Sequence, residues 1–265
     1  MLIDTHCHLD AAEFDPDRQA VAQSALQQGV GMIVVPAVHR GNFEHVQGLA
    51  GEYAHCACAL GIHPLYVQDA QPQDLDVLKS LLESGQAVAV GEIGLDFFVE
   101  GYDRERQEYF FIEQLKLAKA LDLPVILHVR RSIDIILKHL RKFKPRGGIA
   151  HAFNGSAQQA NEFIKLGFKL GFGGAMTYPR ALRIRQLAHD LPLEAIVLET
   201  DAPDIPPEWV GSHGRNSPGQ LAGIARVFAE IRGLDVRQVA EITTNNALAA
   251  LPKLAHLCTP PKVLH

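Results

Sequence analysis

The sequence predicts a single α/β domain folded as a closed (β/α)8 TIM barrel. Three observations carry that prediction. Short runs rich in Val, Ile, Leu and Ala recur eight times along the 265 residues, as buried parallel strands do. Longer amphipathic stretches separate them, so the strands are joined by crossovers of helical length. No low-complexity linker interrupts the alternation, and units of roughly 30 residues suit one barrel. An open doubly wound sheet is the structural runner-up, but nothing in the chain resembles its G-x-G-x-x-G phosphate loop.

The strand-like runs stand at 2–6 (LIDTH), 32–38 (MIVVPAV), 56–62 (CACALGI), 87–93 (AVAVGEI), 124–129 (PVILHV), 148–153 (GIAHAF), 168–173 (FKLGFG) and 195–200 (AIVLET). Helical patterns cover 17–28, 73–84, 104–121, 132–143, 156–166, 180–190 and 219–232, with an extra C-terminal helix at 235–250. Within 104–121, Phe111, Leu115 and Ala118 follow i, i+4, i+7 spacing, the stripe of a helix with one buried face. The barrel domain is expected over 1–251. A Pro-rich tail, 252–265, follows and carries no assigned function.

Composition narrows the function. Lys and Arg number 25 against 30 Asp and Glu, a net charge of −5. Gripping long duplexes by charge alone needs a dense basic surface and is excluded. Binding a strand end at a metal site is not, because bound cations reverse the local sign. The four cysteines (7, 56, 58 and 258) form no CxxC pair and read as reduced core residues of a cytoplasmic protein. The opening MLIDTHCHLD lacks the basic and apolar regions of a secretory signal. No run approaches the roughly 20 apolar residues of a membrane span. No membrane association and no obligate protein partner are expected.

The 13 histidines direct attention to the strand ends, where barrels of this kind collect their chemistry. The first run ends His6-Cys7-His8. Side chains alternate with period two, so the two imidazoles share a face and can hold one ion. Asp4 falls on the same face and is expected to support a liganding imidazole. Glu92 closes the fourth run between glycines. His128 closes the fifth, His151 the sixth and Asp201 the eighth. A lone strand histidine is most often a hydrogen-bonded core residue, and each match is weak alone. Six imidazoles and carboxylates converging on one rim are costly to bury unless neutralised, and metal coordination does that directly. Six protein ligands on one ion would leave no open position. Two divalent ions are therefore expected, with His6, His8 and Asp201 on one, His128 and His151 on the other, and Glu92 bridging.

This pattern resembles the TatD-type metal-dependent deoxyribonucleases of the amidohydrolase-like barrels. The matching segments are Ile3-Asp4-Thr5-His6-Cys7-His8, Gly61-Ile62-His63-Pro64 and Gly91-Glu92-Ile93-Gly94-Leu95-Asp96. They continue with His128, His151-Ala152-Phe153 and Glu199-Thr200-Asp201-Ala202-Pro203. The resemblance spans residues 3 to 203 in order. It implies a (β/α)8 fold, a two-metal centre and phosphodiester hydrolysis, often from a 3′ end of single-stranded DNA. Three positions depart from the family pattern: Val129 where Cys is common, Phe97-Phe98 where a Tyr-rich segment is usual, and Ser217 where Arg215-Asn216-Ser217-Pro218 lacks the usual Glu. All sit in rim loops, where substrate choice is made.

The expected reaction uses two ions to lower the pKa of a water and to neutralise charge on the phosphate. Asp201 takes or holds the nucleophile's proton. His63 is read as a phosphate donor, or equally as a cap on the turn before Pro64. Arg130 shares the His128 face and is read as a bidentate phosphate clamp, or as the partner of a neighbouring carboxylate. Residues 130–146 are strongly basic and are read as the solvated face of the fifth helix, with only Arg130 and Arg131 near the site. Trp209, Phe97, Phe98 and Tyr102 either stack on bases or pin loops. Imidazole with carboxylate suits Zn, Mn, Co or Ni, while Mg prefers oxygen, so the ions are expected only to be divalent. DNA ends or a small phosphodiester are the expected substrates. A small-molecule amidohydrolase or phosphoesterase on the same barrel is the alternative.

Overall fold

The structure, a computed structural model, describes residues 1–258; residues 259–265 of the predicted tail lie outside the described part. The strands are β1 (Leu2–Asp4), β2 (Val30–Pro36), β3 (Cys56–Ala59), β4 (Val90–Asp96), β5 (Val125–Arg130), β6 (Gly148–Ala150), β7 (Phe168–Phe172) and β8 (Ile196–Leu198). Every pairing between neighbours is parallel, in the order β1-β2-β3 and β4-β5-β6-β7-β8. The two arcs are joined on both sides. A parallel bridge links Leu60 to Val90. Across the other seam Thr5 N–H donates to Leu198 O at 3.2 Å and Asp201 N–H to His6 O at 2.8 Å. The result is the closed eight-stranded barrel that the alternation predicts.

The helices of the outer layer are α1 (Arg18–Gln27), α2 (Phe43–Glu52), α3 (Asp74–Glu83), α4 (Arg104–Ala120), α5 (Ile133–Phe143), α6 (Ala157–Lys165), α7 (Leu182–Asp190) and α8 (Leu221–Arg232), followed by α9 (Val236–Ala250) and the short α10 (Leu254–Leu257). The helix α2 is absent from the sequence reading. Phe43, Val46 and Leu49 give it a buried stripe, but Gly48 and Gly51 dilute the helical signal, since glycine disfavours helix by about 1 kcal/mol.

Strand side chains alternate between two cores. Ile33, Val35, Cys56 and Cys58 face the helices. Ile3, Met32, Val34, Ala57, Ile126, Ile149 and Val197 face the barrel axis, where Ala247, Ala250, Leu251 and Leu254 close the floor. Lys253 Nζ also donates to Gly85 O and Ala87 O at 3.1 and 3.0 Å. With the floor sealed by apolar residues, the opposite mouth is left for polar groups. Among the described residues no helix is long and apolar enough to cross a membrane.

Helix α4 bears on the mouth directly. It buries Gln107 and Gln114 among Phe110, Phe111, Leu115 and Ala118. Gln107 exchanges two hydrogen bonds with the Asp96 backbone, and Gln114 two with the Ile62 backbone. These amides satisfy buried peptide groups where the strands end and so set the positions of Asp96 and of His63, the next residue after Ile62.

Candidate metal centre

The mouth opens into a cavity of about 1030 Å³. At its base the structure brings together the side chains named from the strand ends. Glu92 is the hub, and its two oxygens face different partners. Oε2 lies 3.2 Å from His6 Nε2 and 3.5 Å from His8 Nε2. Oε1 lies 2.9 Å from both His128 Nδ1 and His151 Nε2. Asp201 Oδ1 sits 3.6 and 3.7 Å from the His6 and His8 nitrogens, which are 3.3 Å apart. Three groups of donor atoms are close enough to hold an ion: His6 with His8 and Asp201, His6 with Glu92 and His151, and His63 with Glu92 and His128.

The electrostatics follow from burial. Desolvation opposes ionisation of Glu92, but His63, His151, His6 and His128 surround it and hold it well below the ordinary carboxylate range. His6 and His151 stack at 3.9 Å between ring centroids, so two adjacent positive charges there would repel. Burial lowers His6 to about 4, whereas Glu92, acting against burial, raises His151. His8 rises to about 9 despite its burial, through Glu92 and Asp201. Ionised Glu92 thus favours protons on the imidazoles of His8, His128 and His151 around it. A donor set of four imidazoles and two carboxylates, most of it buried, fits divalent cations, which would replace those protons.

Two further carboxylates complete the surroundings, and neither was assigned a role from sequence. Asp96 is buried; its Oδ2 stands 3.0 Å from His128 Nε2, and its Oδ1 accepts from the Phe98 and Val99 N–H groups. The signal was present, since Glu92, Gly94 and Asp96 share one face of β4 by period two. Gly94 is required beside them: a Cβ there would come 2.0 Å from His128 O. Glu199 is also buried. Its Oε1 accepts from Ala152 N–H and lies 3.8 Å from His151 Nδ1, while Oε2 has no hydrogen-bond partner. Burial raises its pKa to about 8.

Asp4 corrects an expectation. Its carboxylate does not reach an imidazole ring. It accepts from Thr200 N–H at 2.9 Å, Thr200 O–H at 2.6 Å and His6 N–H at 3.3 Å, and so ties the β1–β8 seam beneath the cluster.

The remaining named residues stand around the rim. His63 Nε2 lies 3.5 Å from Glu92 Oε1, and its Nδ1 accepts from Leu65 N–H at 3.2 Å. That bond caps the turn and also places the ring proton on Nε2. Arg130 is half-exposed, with its guanidinium 4.0 Å from Asp96 Oδ2 and 3.8 Å above the Phe98 ring. Farther along the basic segment Arg141 and Arg146 pair with Glu162 and Asp122 on the outer surface. Trp209 donates to Gln220 Oε1 at 2.7 Å and pins its loop against α8. Asn216 binds the backbone oxygens of Thr200, Asp204 and Ile205. Arg215 turns outward to Asp17.

Comparison with known proteins agrees with this architecture. The family described as TatD related DNase matches residues 3–252. An uncharacterized metal-dependent hydrolase of Escherichia coli K12, YjjV, is 46% identical over 248 residues, covering 92% of this chain and 95% of its own. The human protein named deoxyribonuclease TATDN3 is 35% identical over 97% of this chain and 96% of its own length. The crystal structure of YjjV superposes with a TM-score of 0.91 at 43% identity, over 95% of this chain and 98% of that one. With a family match over nearly its whole length and relatives aligned end to end, this chain belongs to the TatD-related DNase family of metal-dependent hydrolases.

Proposed function

We propose that the chain hydrolyses phosphodiester bonds with two divalent ions at this centre, acting as a deoxyribonuclease on the 3′ end of single-stranded DNA. The observation that carries the reading is the division of the Glu92 carboxylate, one oxygen toward His6 and His8 and the other toward His128 and His151. On this reading His6, His8 and Asp201 would hold one ion and His128 and His151 the other, with Glu92 contributing to both. The name of the human relative supports nucleic acid as the substrate class. When bound, the ions supply Lewis acidity and a water of lowered pKa.

The protein groups have separate tasks. Asp201, at the mouth, would accept the proton of the attacking water. His63 carries its proton on Nε2, so that nitrogen has no lone pair for a metal; it donates instead to a phosphoryl oxygen. Burial lowers His63 to about 3, which keeps it a neutral donor at pH 7. Arg130, held between Asp96 and Phe98, presents its N–H edge to the phosphate. Asp96 fixes the proton of His128 on Nε2 and leaves Nδ1 free to ligate.

The test is one substrate panel on metal-defined protein: single- and double-stranded DNA, RNA, a nitrophenyl phosphodiester and several amides. Turnover of single-stranded DNA and of the small phosphodiester is expected. Turnover of amides without any phosphodiester would overturn the proposal.

A further inference from the structure

The cavity above the metal centre has walls of opposite charge. On the β1–β8 side it is lined by Asp10, Glu13 and Asp204. Asp10 Oδ2 accepts from Asn42 at 2.8 Å, while its buried Oδ1 has no hydrogen-bond partner. These three carboxylates oppose the approach of an anion on that side. On the β5 side the lining includes Arg130; Arg131 follows it in the chain, exposed and with left-handed backbone at φ +53°. Among the described residues Arg131 has no carboxylate within ion-pair distance. Its guanidinium lies 4.5 Å from the centroid of the Phe98 ring, the same ring that carries Arg130 at 3.8 Å. Arg131 is thus a cation without a carboxylate partner, held on the same ring as a residue that lines the cavity.

Phe98 explains how the two arginines are held. It is 43% exposed, a large apolar ring left at the rim, and its backbone N–H is fixed by Asp96 Oδ1 at 2.9 Å. The other oxygen of Asp96 meets His128. One carboxylate thus ties the aromatic platform rigidly to the metal centre. A guanidinium resting on an aromatic face keeps its N–H edge free for phosphate. Of the aromatic residues singled out in the sequence, Phe97 packs partly into the core and Trp209 is pinned to α8, so neither competes for this place.

We infer that Arg131, seated on Phe98 beside Arg130, binds the phosphate adjacent to the scissile one, and that the polymer leaves the centre across the β4–β5 rim. This rests on the phosphodiester reading above and deepens it: the preferred substrate is the end of a single strand with a flanking phosphate, rather than an isolated diester. The contact is to the phosphate backbone and carries no base preference.

The experiment compares metal-loaded wild type, Arg131→Ala and Arg131→Lys on bis(p-nitrophenyl) phosphate and on a short fluorescein-labelled single-stranded oligodeoxynucleotide. Binding of the latter is also followed by anisotropy across salt concentrations. Arg131→Ala should raise KM and Kd for the oligonucleotide about five-fold, the scale of one exposed charge contact, with kcat and turnover of the small diester unchanged. The salt slope should fall by about 0.7, one phosphate contact on a single strand. Arg131→Lys should restore the salt slope. Equal losses on both substrates, or an unchanged Kd and salt slope, would overturn the assignment. Wild type that turns over the small diester but neither binds nor cleaves the oligonucleotide would overturn it while leaving phosphodiester hydrolysis standing. Wild type inactive on both would remove the two together.

Discussion

Replacing Gln114 with leucine should destabilise the barrel and disturb the site at a distance. Gln114 is fully buried on α4 and has no contact with the metal centre. Its Oε1 accepts from Ile62 N–H at 2.7 Å, and its Nε2 donates to Ile62 O at 3.0 Å. Leucine fills nearly the same volume, so little cavity is created, but both peptide groups of Ile62 lose their partner. Each orphaned buried group costs about 1–3 kcal/mol. Burying leucine in place of an amide returns about 1–2 kcal/mol, leaving a net loss of about 2.5 kcal/mol at mid-range. For a chain of this size that lowers the thermal midpoint by about 5–10 °C. The assay is thermal unfolding followed by circular dichroism at fixed metal concentration, with KM and kcat measured on the folded variant below the transition. His63 follows Ile62 directly, so activity should fall as well. A loss under about 1 kcal/mol with unchanged kinetics would refute the view that the α4 amides hold the strand ends in place.

Other outcomes follow from the same contacts. Asp96→Asn keeps an oxygen for the Phe98 and Val99 N–H groups but presents N–H to His128; metal affinity measured by calorimetry should fall about 10–100-fold with the fold intact, and unchanged affinity would remove the role given to Asp96. The Arg215 guanidinium beside Asp17 holds its carboxyl below the ordinary value of 3.8. A depressed folded pKa contributes stability above the unfolded value, lost as pH falls through the folded one. The midpoint gap between wild type and Asp17→Asn should therefore be open at pH 6 and close toward pH 3; a gap independent of pH would contradict the pairing.

Much of this arrangement is legible in the chain because its physics is periodic. Apolar runs alternate with amphipathic stretches, and His6 with His8 share a face by period two, so the barrel and the converging imidazoles follow from spacing. What was missed depends on contacts that no local pattern carries. The partner of Asp4 is Thr200, across the closing seam of the barrel, and a face assignment alone directed its carboxylate to an imidazole. His63 caps the turn because Leu65 N–H meets its Nδ1, which leaves the ring proton on Nε2. Both readings of Arg130 touch the observed geometry, since the guanidinium faces Asp96 and also lines the cavity. The departure at Ser217 lies in a loop whose neighbour Asn216 holds backbone oxygens, so it bears on loop structure rather than on the donor cluster.

Metal content of the purified protein, measured by mass spectrometry after equilibration with a single divalent ion, tests the two-ion centre built on Glu92 most directly. Wild type should hold two equivalents per chain. Glu92→Ala, folded by circular dichroism, should hold fewer and show no turnover. One equivalent in wild type, or two in the variant with activity retained, would contradict the account.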